Sequence, residues 1–153
     1  MDEGMLAGIA FHIESRGEII RVGQSMVTKE KGVIGDRRGA KKNDRQITLL
    51  EYDSWIDALD ELGIDEVLPW YVRRANLLLF DIRLPRCAGT IIRIGETLRI
   101  KITGECDPCK RMDEVAVGLH QALKPDWRGG FTGCVITDGE ISIADKVTIE
   151  AQT

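Results

Sequence analysis

Apolar residues recur along this chain with two different periods, and one change from the first period to the second falls on a pair of cysteines. Leu98, Ile100 and Ile102 alternate with Thr97, Arg99, Lys101 and Thr103, a period of two that predicts a strand with one buried face. Beyond it, Met112, Val115, Ala116, Leu119, Ala122 and Leu123 recur at three- and four-residue steps, the buried stripe of an amphipathic helix that Lys124-Pro125 stops. Alternation also marks residues 9–13. After the Ser15-Arg16-Gly17 turn a second apolar segment, 19–22, completes a predicted hairpin, with His12 at a solvent face or strand edge and no chemistry assigned to it. A short strand at 46–50 leads into a helix on which Trp55, Leu59 and Leu62 share a face, capped by Asp53 or Ser54 and ended by Gly63. Pro69 and Pro85 bracket the apolar run at 77–80 and exclude a continuous helix across it. Gly95-Glu96 turns one strand, 91–94, into the next. Asp138-Gly139, between 134–137 and 140–143, is the strongest hairpin signal of the chain, and Val147 and Ile149 mark a last strand. The glycine-punctuated stretch 32–37, the aperiodic polar stretch 38–44 and Arg128-Gly129-Gly130-Phe131 read as exposed loops.

Many short strands separated by turns, with helices near residues 53–62 and 108–123, predict a mainly β barrel or sandwich with inserted helices, α+β overall. The 153 residues are expected to form a single domain with a real core. A formal net charge of −4 argues against generic nucleic-acid binding. Basic residues nevertheless cluster at Arg37-Arg38, Lys41-Lys42, Arg73-Arg74 and Lys110-Arg111, where a small anion could bind. No apolar run approaches the roughly 20 residues needed to span a bilayer, and the first residues lack the pattern of a secretory signal, so a cytoplasmic protein is expected. In a reducing compartment its four cysteines would stay thiols.

The chemistry concentrates in Thr103-Gly104-Glu105-Cys106-Asp107-Pro108-Cys109-Lys110-Arg111-Met112. Asp107 suits a helix N-cap and Pro108 the first helical position, which would put Cys109 in the first turn. There, free backbone N–H groups and the helix dipole stabilise a thiolate, and thiols so placed titrate between about 3.5 and 7.5 instead of about 8.5. Cys109 is thus a candidate nucleophile or soft-metal ligand, with Cys106 as its partner. Three other readings of the C-x-x-C pair stand beside this one: half of a zinc site, a redox dithiol, and inert buried thiols. A zinc site would need a second pair, whereas Cys87 and Cys134 are isolated and read as structural, and His12 and His120 lie far off in sequence.

Gly35-Asp36-Arg37, Arg45-Gln46-Ile47-Thr48-Leu49-Leu50, Arg73-Arg74-Ala75-Asn76-Leu77, Thr103-Gly104 with Pro108-Cys109, Arg128-Gly129-Gly130 and the terminal segment 139–147 follow one another in an order that resembles the MOSC family, the domain first described at the C-terminus of molybdenum cofactor sulfurases. The resemblance runs over residues 32–149. It implies a compact β-barrel and a ligand of the molybdenum cofactor (molybdopterin) type, with Cys109 as thiolate ligand to the metal. It also implies a pocket lined by Asp36, Arg37, Arg45, Arg73, Arg74, Asn76 and the Arg128-Gly129-Gly130 loop, with the arginines holding the pterin phosphate. The sequence departs from relatives in lacking a histidine-glycine-glycine element between Lys41 and Arg45, and in carrying Ala144-Asp145 in place of glycine-aspartate. Pyridoxal phosphate and iron-sulfur functions belong to modules fused to this domain in other members and are not expected here.

Three functions follow as expectations. The first is a cofactor-binding protein that reduces N-hydroxylated compounds with a redox partner, or carries the cofactor. The second is a sulfur carrier that receives a persulfide on Cys109 from a cysteine desulfurase. The third is a non-catalytic module that binds a small anionic ligand.

Overall fold

A computed structural model of the chain describes residues 3–41 and 43–152; Lys42, of the basic Lys41-Lys42 pair, lies outside them. Seven strands close into a barrel: β1 (Glu3–Phe11), β5 (Ile47–Glu51), β6 (Leu77–Phe80), β7 (Thr90–Ile94), β8 (Leu98–Glu105), β9 (Phe131–Thr137) and β11 (Lys146–Gln152). Their order around the wall is β11, β7, β8, β9, β5, β6, β1, and the β1–β11 pairing closes the circle. β2 (Ile20–Val22) pairs outside the circle with β1, as the predicted first hairpin requires. β3 (Gln24–Thr28), β4 (Gly32–Val33) and β10 (Gly139–Ser142) form a separate three-stranded sheet whose Val27, Val33 and Ile141 are buried in the same core. No helix among the described residues is long and apolar enough to cross a membrane.

Alternation does what the sequence predicts in β8, where Leu98, Ile100 and Ile102 are wholly buried in one cluster with Ile92 and Ile94 of the neighbouring β7 and Phe131 of the neighbouring β9. β5 is buried at every position because its outer face is covered too. That cover is a second apolar cluster, in which Leu50 and Leu78 of the barrel wall meet Trp55, Ala58 and Leu59 of α1 (Tyr52–Glu61) and Leu119 and Leu123 around α3 (Leu119–Ala122). The C-terminus of α1 is a Schellman motif: Gly63 takes a left-handed φ of 70°, its N–H donates to the Asp60 carbonyl and that of Ile64 to the Leu59 carbonyl. Its N-terminus differs from expectation. The helix starts one residue earlier, on an extended Glu51 with no side-chain cap, because the Glu51 carboxylate is engaged by Ser54, the Leu84 N–H and Arg86.

Two other expectations are corrected. The segment 108–123 is not one helix but two four-residue turns, α2 (Met112–Val115) and α3, separated by an extended Ala116 and a left-handed Gly118. The stripe residues Met112, Leu119, Ala122 and Leu123 are still buried, so the periodicity located the core contacts and missed the break between them. Asp138-Gly139 is not a two-strand hairpin either. The chain leaves the barrel there, and β10 pairs with β3 instead of β9. Asp138 accepts the Lys29 N–H at 2.7 Å, and Gly139 passes so close to Leu98 that a Cβ would lie 2.4 Å from its backbone nitrogen.

Candidate functional site

A cleft of about 570 Å³ opens on the barrel wall beside β5 and β6. Topology explains what converges there. β5 and β6 are the parallel pair of the barrel, so the segments that lead into them, carrying Arg45 and Arg73-Arg74, arrive from the same side. β1 runs antiparallel to β6, so its C-terminal residue and His12 leave toward that side. Asn76 ties the three strands together: its Oδ1 accepts the Thr48 N–H at 3.0 Å and its Nδ2 donates to the Ala10 carbonyl at 3.1 Å. This amide is spent on backbone and acts as a brace in the cleft wall.

The lining brings together Asp36, Arg37, Arg45, Arg73, Arg74, Asn76, Cys106, Cys109 and Gly129, all expected from the sequence, and adds His12, Arg16, Arg38 and Arg111 among others. Arginines outnumber carboxylates in it by seven to three. Arg128 and Gly130 are not part of it. The Arg128 guanidinium donates to Glu61 and to the Ala122 carbonyl, both at 2.9 Å, and so fastens α3 to α1. Gly130 holds a φ of 110° with no room for a Cβ, which would sit 2.3 Å from the Leu49 carbonyl oxygen. Gly129 does line the cleft, and a Cβ on it would meet the Cys106 carbonyl oxygen at 2.7 Å. Far from exposing its backbone, this glycine pair is buried.

The two cysteines occupy different environments. Cys106 is buried, its N–H donating to the Gly130 carbonyl at 2.9 Å. Arg73, itself buried, donates through Nε to the Gly129 carbonyl at 3.0 Å and through one terminal nitrogen to the Cys106 carbonyl at 2.9 Å and the Cys106 sulfur at 3.5 Å. Arg45 reaches the same sulfur at 3.8 Å. Cys109 is exposed, and its expected place in the first turn of a helix is corrected: Asp107 and Pro108 are not helical, α2 starts at Met112, and the Cys109 carbonyl accepts the Met112 N–H in the turn before it. Helix-dipole stabilisation therefore does not apply to its sulfur. Cys106 and Cys109 are both free thiols. Among the described residues no three His, Cys, Asp or Glu side chains gather as a metal site.

His12, read from sequence as lying at a solvent face or a strand edge, is buried at the end of β1. The loop after β4 folds back on it: the Arg37 N–H donates to the His12 carbonyl at 2.8 Å, and Asp36 accepts the His12 N–H through Oδ1 and the Arg38 N–H through Oδ2. Burial, with Arg74, Arg38 and Arg37 facing it, pushes the His12 imidazole below its ordinary pKa, against a smaller upward pull from Asp36. Burial, with Arg111 alongside, also lowers Arg74. Burial raises the Glu105 carboxyl, helped by Asp107, and raises the Cys134 thiol in β9, in keeping with a structural role for Cys134. Of the residues missed, Arg38 and Arg111 belong to basic clusters visible in the sequence. Nothing local marks His12, whose burial comes from the returning loop.

Residues 36–148 match the MOSC domain family. No curated protein sequence matches the chain. Among solved structures, the YUAD protein from Bacillus subtilis superposes with a TM-score of 0.83 at 15% identity, over 99% of this chain and 97% of that one. YiiM from Escherichia coli superposes with a TM-score of 0.70 at 18% identity, over 97% of this chain and 71% of its own. YiiM from Geobacillus stearothermophilus gives 0.66 at 14% identity, over 97% and 73%. These likenesses concern the fold.

Proposed function

The chain belongs to the MOSC domain family, and from that premise we propose that its arginine-lined cleft binds the molybdenum cofactor, with the Cys109 sulfur as protein ligand to the metal. The observation that carries the reading is that the two cysteines and the arginines of five separate segments meet in one cleft. Its volume of about 570 Å³ suits a small organic cofactor, and its excess of arginine suits a phosphate, which guanidinium groups bind through paired, charge-assisted hydrogen bonds. An exposed sulfur at the same cleft offers a soft ligand.

In this reading Arg37, Arg45 and Arg74 neutralise the anion, while Arg73 supplies a fixed positive charge from a guanidinium already held by the Cys106 and Gly129 carbonyls. Asp36 and Asn76 keep the wall in shape, and Gly129, without a side chain, lets its segment pack closely against the Cys106 carbonyl. Bound metal would supply redox chemistry suited to reducing N-hydroxylated compounds; holding the cofactor without turnover would make the protein a cytoplasmic carrier. The test is the molybdenum content of protein purified from cells that make the cofactor. Wild type and Cys106→Ser are expected to contain the metal and Cys109→Ser to lack it. The reverse pattern gives the ligand role to Cys106, and a folded wild type without molybdenum sinks the reading.

The exposure of Cys109 favours a second reading, as sulfur carrier. Its thiolate would attack the terminal sulfur of a persulfide on a cysteine desulfurase, forming a new sulfur–sulfur bond at Cys109 while the old one breaks and the desulfurase cysteine leaves as thiolate. Incubation with desulfurase and cysteine should then add one dithiothreitol-labile sulfur to the Cys109 peptide; an unmodified peptide excludes this role.

A further inference from the structure

Five side chains from three separate parts of the chain meet at His12: Asp36, Arg37 and Arg38 from the loop after β4, Arg74 from the segment before β6, and His12 itself at the end of β1. The arrangement is unusual in its balance. Three guanidinium groups face one imidazole and one carboxylate, and that carboxylate already accepts two backbone N–H groups. No hydrogen bond or ion pair to a described residue holds the side chain of Arg37, which is half-buried at the cleft, or of Arg38, which lines its exposed rim. Arg74 makes a single bond, to the Gly17 carbonyl at 2.9 Å. Unpaired positive charge of this kind, held together by the fold, is what an oxyanion would neutralise.

We propose that this part of the cleft is a subsite for a dianionic oxyanion of the phosphate-monoester class in which His12 is a proton-dependent donor, so that capture of the anion takes up a proton at His12. The assignment deepens the reading of the cleft as an anion site and does not depend on molybdenum. The physical reason lies in the sign of the surrounding charge. Without an anion, burial and the facing arginines favour the neutral imidazole, which offers one N–H and one lone pair. A dianion placed among the same arginines cancels their repulsion, and the imidazolium then gains two donors and a charge of the right sign. Ligand and proton thus bind together, and by linkage each raises the affinity for the other. Among the described residues the charged groups that face His12 are Asp36, Arg37, Arg38 and Arg74, of which only Asp36 works in the opposite direction. A phosphodiester or a carboxylate, with a single negative charge, would draw the proton less and bind more weakly.

Sulfate is the probe that separates protein from ligand, because it remains a dianion over the whole range in which histidine titrates. Calorimetric titration of the purified protein with sulfate, in two buffers of different ionisation enthalpy, counts the protons taken up on binding. Uptake of up to one proton is expected near the ordinary histidine range, with affinity falling as pH rises from about 5.5 to about 8, about tenfold for each unit by which the anion raises the His12 pKa. In His12→Gln the uptake and the pH dependence are expected to disappear, and in His120→Gln, remote from the cleft, to persist. Should His12→Gln fail to fold, the imidazole of wild type can be followed by NMR, where its titration is expected to move upward on adding sulfate. The proposal is overturned by sulfate binding without proton uptake, by uptake that persists in His12→Gln, by an imidazole titration that ignores the anion, or by a folded protein that binds neither sulfate nor phosphate. Protein that couples sulfate to His12 yet never contains molybdenum would fail the cofactor reading and leave this subsite standing.

Discussion

Two sets of arginines line the same cleft and are held in opposite ways. Arg73 is buried, and its guanidinium donates to two backbone carbonyls and a sulfur. Arg37 and Arg38 sit around His12 with no acceptor for their side chains among the described residues. In the first case the positive charge is part of the architecture: it satisfies carbonyls of Cys106 and Gly129 that irregular chain leaves unpaired, so the 106–109 and 128–130 segments are fixed relative to the barrel. In the second the fold has brought together charges that no described residue satisfies. A guanidinium with its donors used contributes field; one with its donors free contributes recognition. The cleft is therefore prebuilt around its sulfurs and ligand-ready around His12.

The most severe way to break this contrast is Arg73→Ala. It leaves two carbonyls without their charged donor, and each such loss costs about 1–3 kcal/mol. A loss of about 3 kcal/mol in urea denaturation is expected, with Arg73→Lys recovering part of it, because an ammonium cannot span both carbonyls in the guanidinium's fixed geometry. Arg37→Ala and Arg38→Ala are expected to stay within about 0.5 kcal/mol of wild type. If Arg73→Ala proves equally mild, the distinction between architectural and ligand-ready arginine is wrong.

A second comparison sharpens the same point on binding. Arg37→Ala should weaken phosphate binding by about tenfold, roughly what one charge-assisted hydrogen bond contributes. Arg128→Ala should change it less than about twofold, because its guanidinium faces Glu61 and the Ala122 carbonyl instead of the cleft. Equal losses in calorimetric titration would mean that the cleft extends to the α1–α3 junction.

Arg128 shows where reading from sequence stops. The barrel was legible because alternation survives wherever a strand has one buried face, as in β8, and because turn glycines such as Gly95 and Gly63 hold the left-handed backbone that their place predicts. The arginine cluster was legible as far as order along the chain could carry it: Arg37, Arg45, Arg73 and Arg74 all reach the cleft. What decides between them and Arg128 is the direction of one side chain at the end of a tight turn with left-handed Asp126 and Trp127, which no periodicity encodes. The same holds for Asp138-Gly139. Its local chemistry permits a hairpin, but pairing is settled by β3, more than a hundred residues away. The break at Gly118 was visible as a glycine, yet the apolar stripe runs on through it, because α2 and α3 cover the same patch of barrel. Position-by-position burial is written locally; partnership between distant segments is not.

The smallest expected effect tests the ligand-ready side without any ligand. His12 is held below its ordinary pKa in the folded protein, first by burial and then by Arg74, with Arg38 and Arg37 adding to it. In the unfolded chain it returns to about 6.5. Folding therefore disfavours the protonated form, so the contribution of His12 to stability is fully present above the unfolded value and is lost as pH falls through the lower folded one. Other groups contribute to the pH dependence as well; Glu105, raised by burial and by Asp107, works with the opposite sign. Those groups are common to wild type and His12→Gln, so the difference between the two proteins isolates the imidazole. Between about pH 7.5 and about pH 5.5 the melting temperature of wild type should fall further than that of His12→Gln. Added sulfate should narrow the gap by restoring wild type more than the variant, since neutralising Arg37, Arg38 and Arg74 removes the electrostatic share of what keeps the imidazole neutral and leaves only the burial. Parallel melting curves for the two proteins, with and without sulfate, would show that His12 does not feel these arginines and that the cleft is charged there without being tuned.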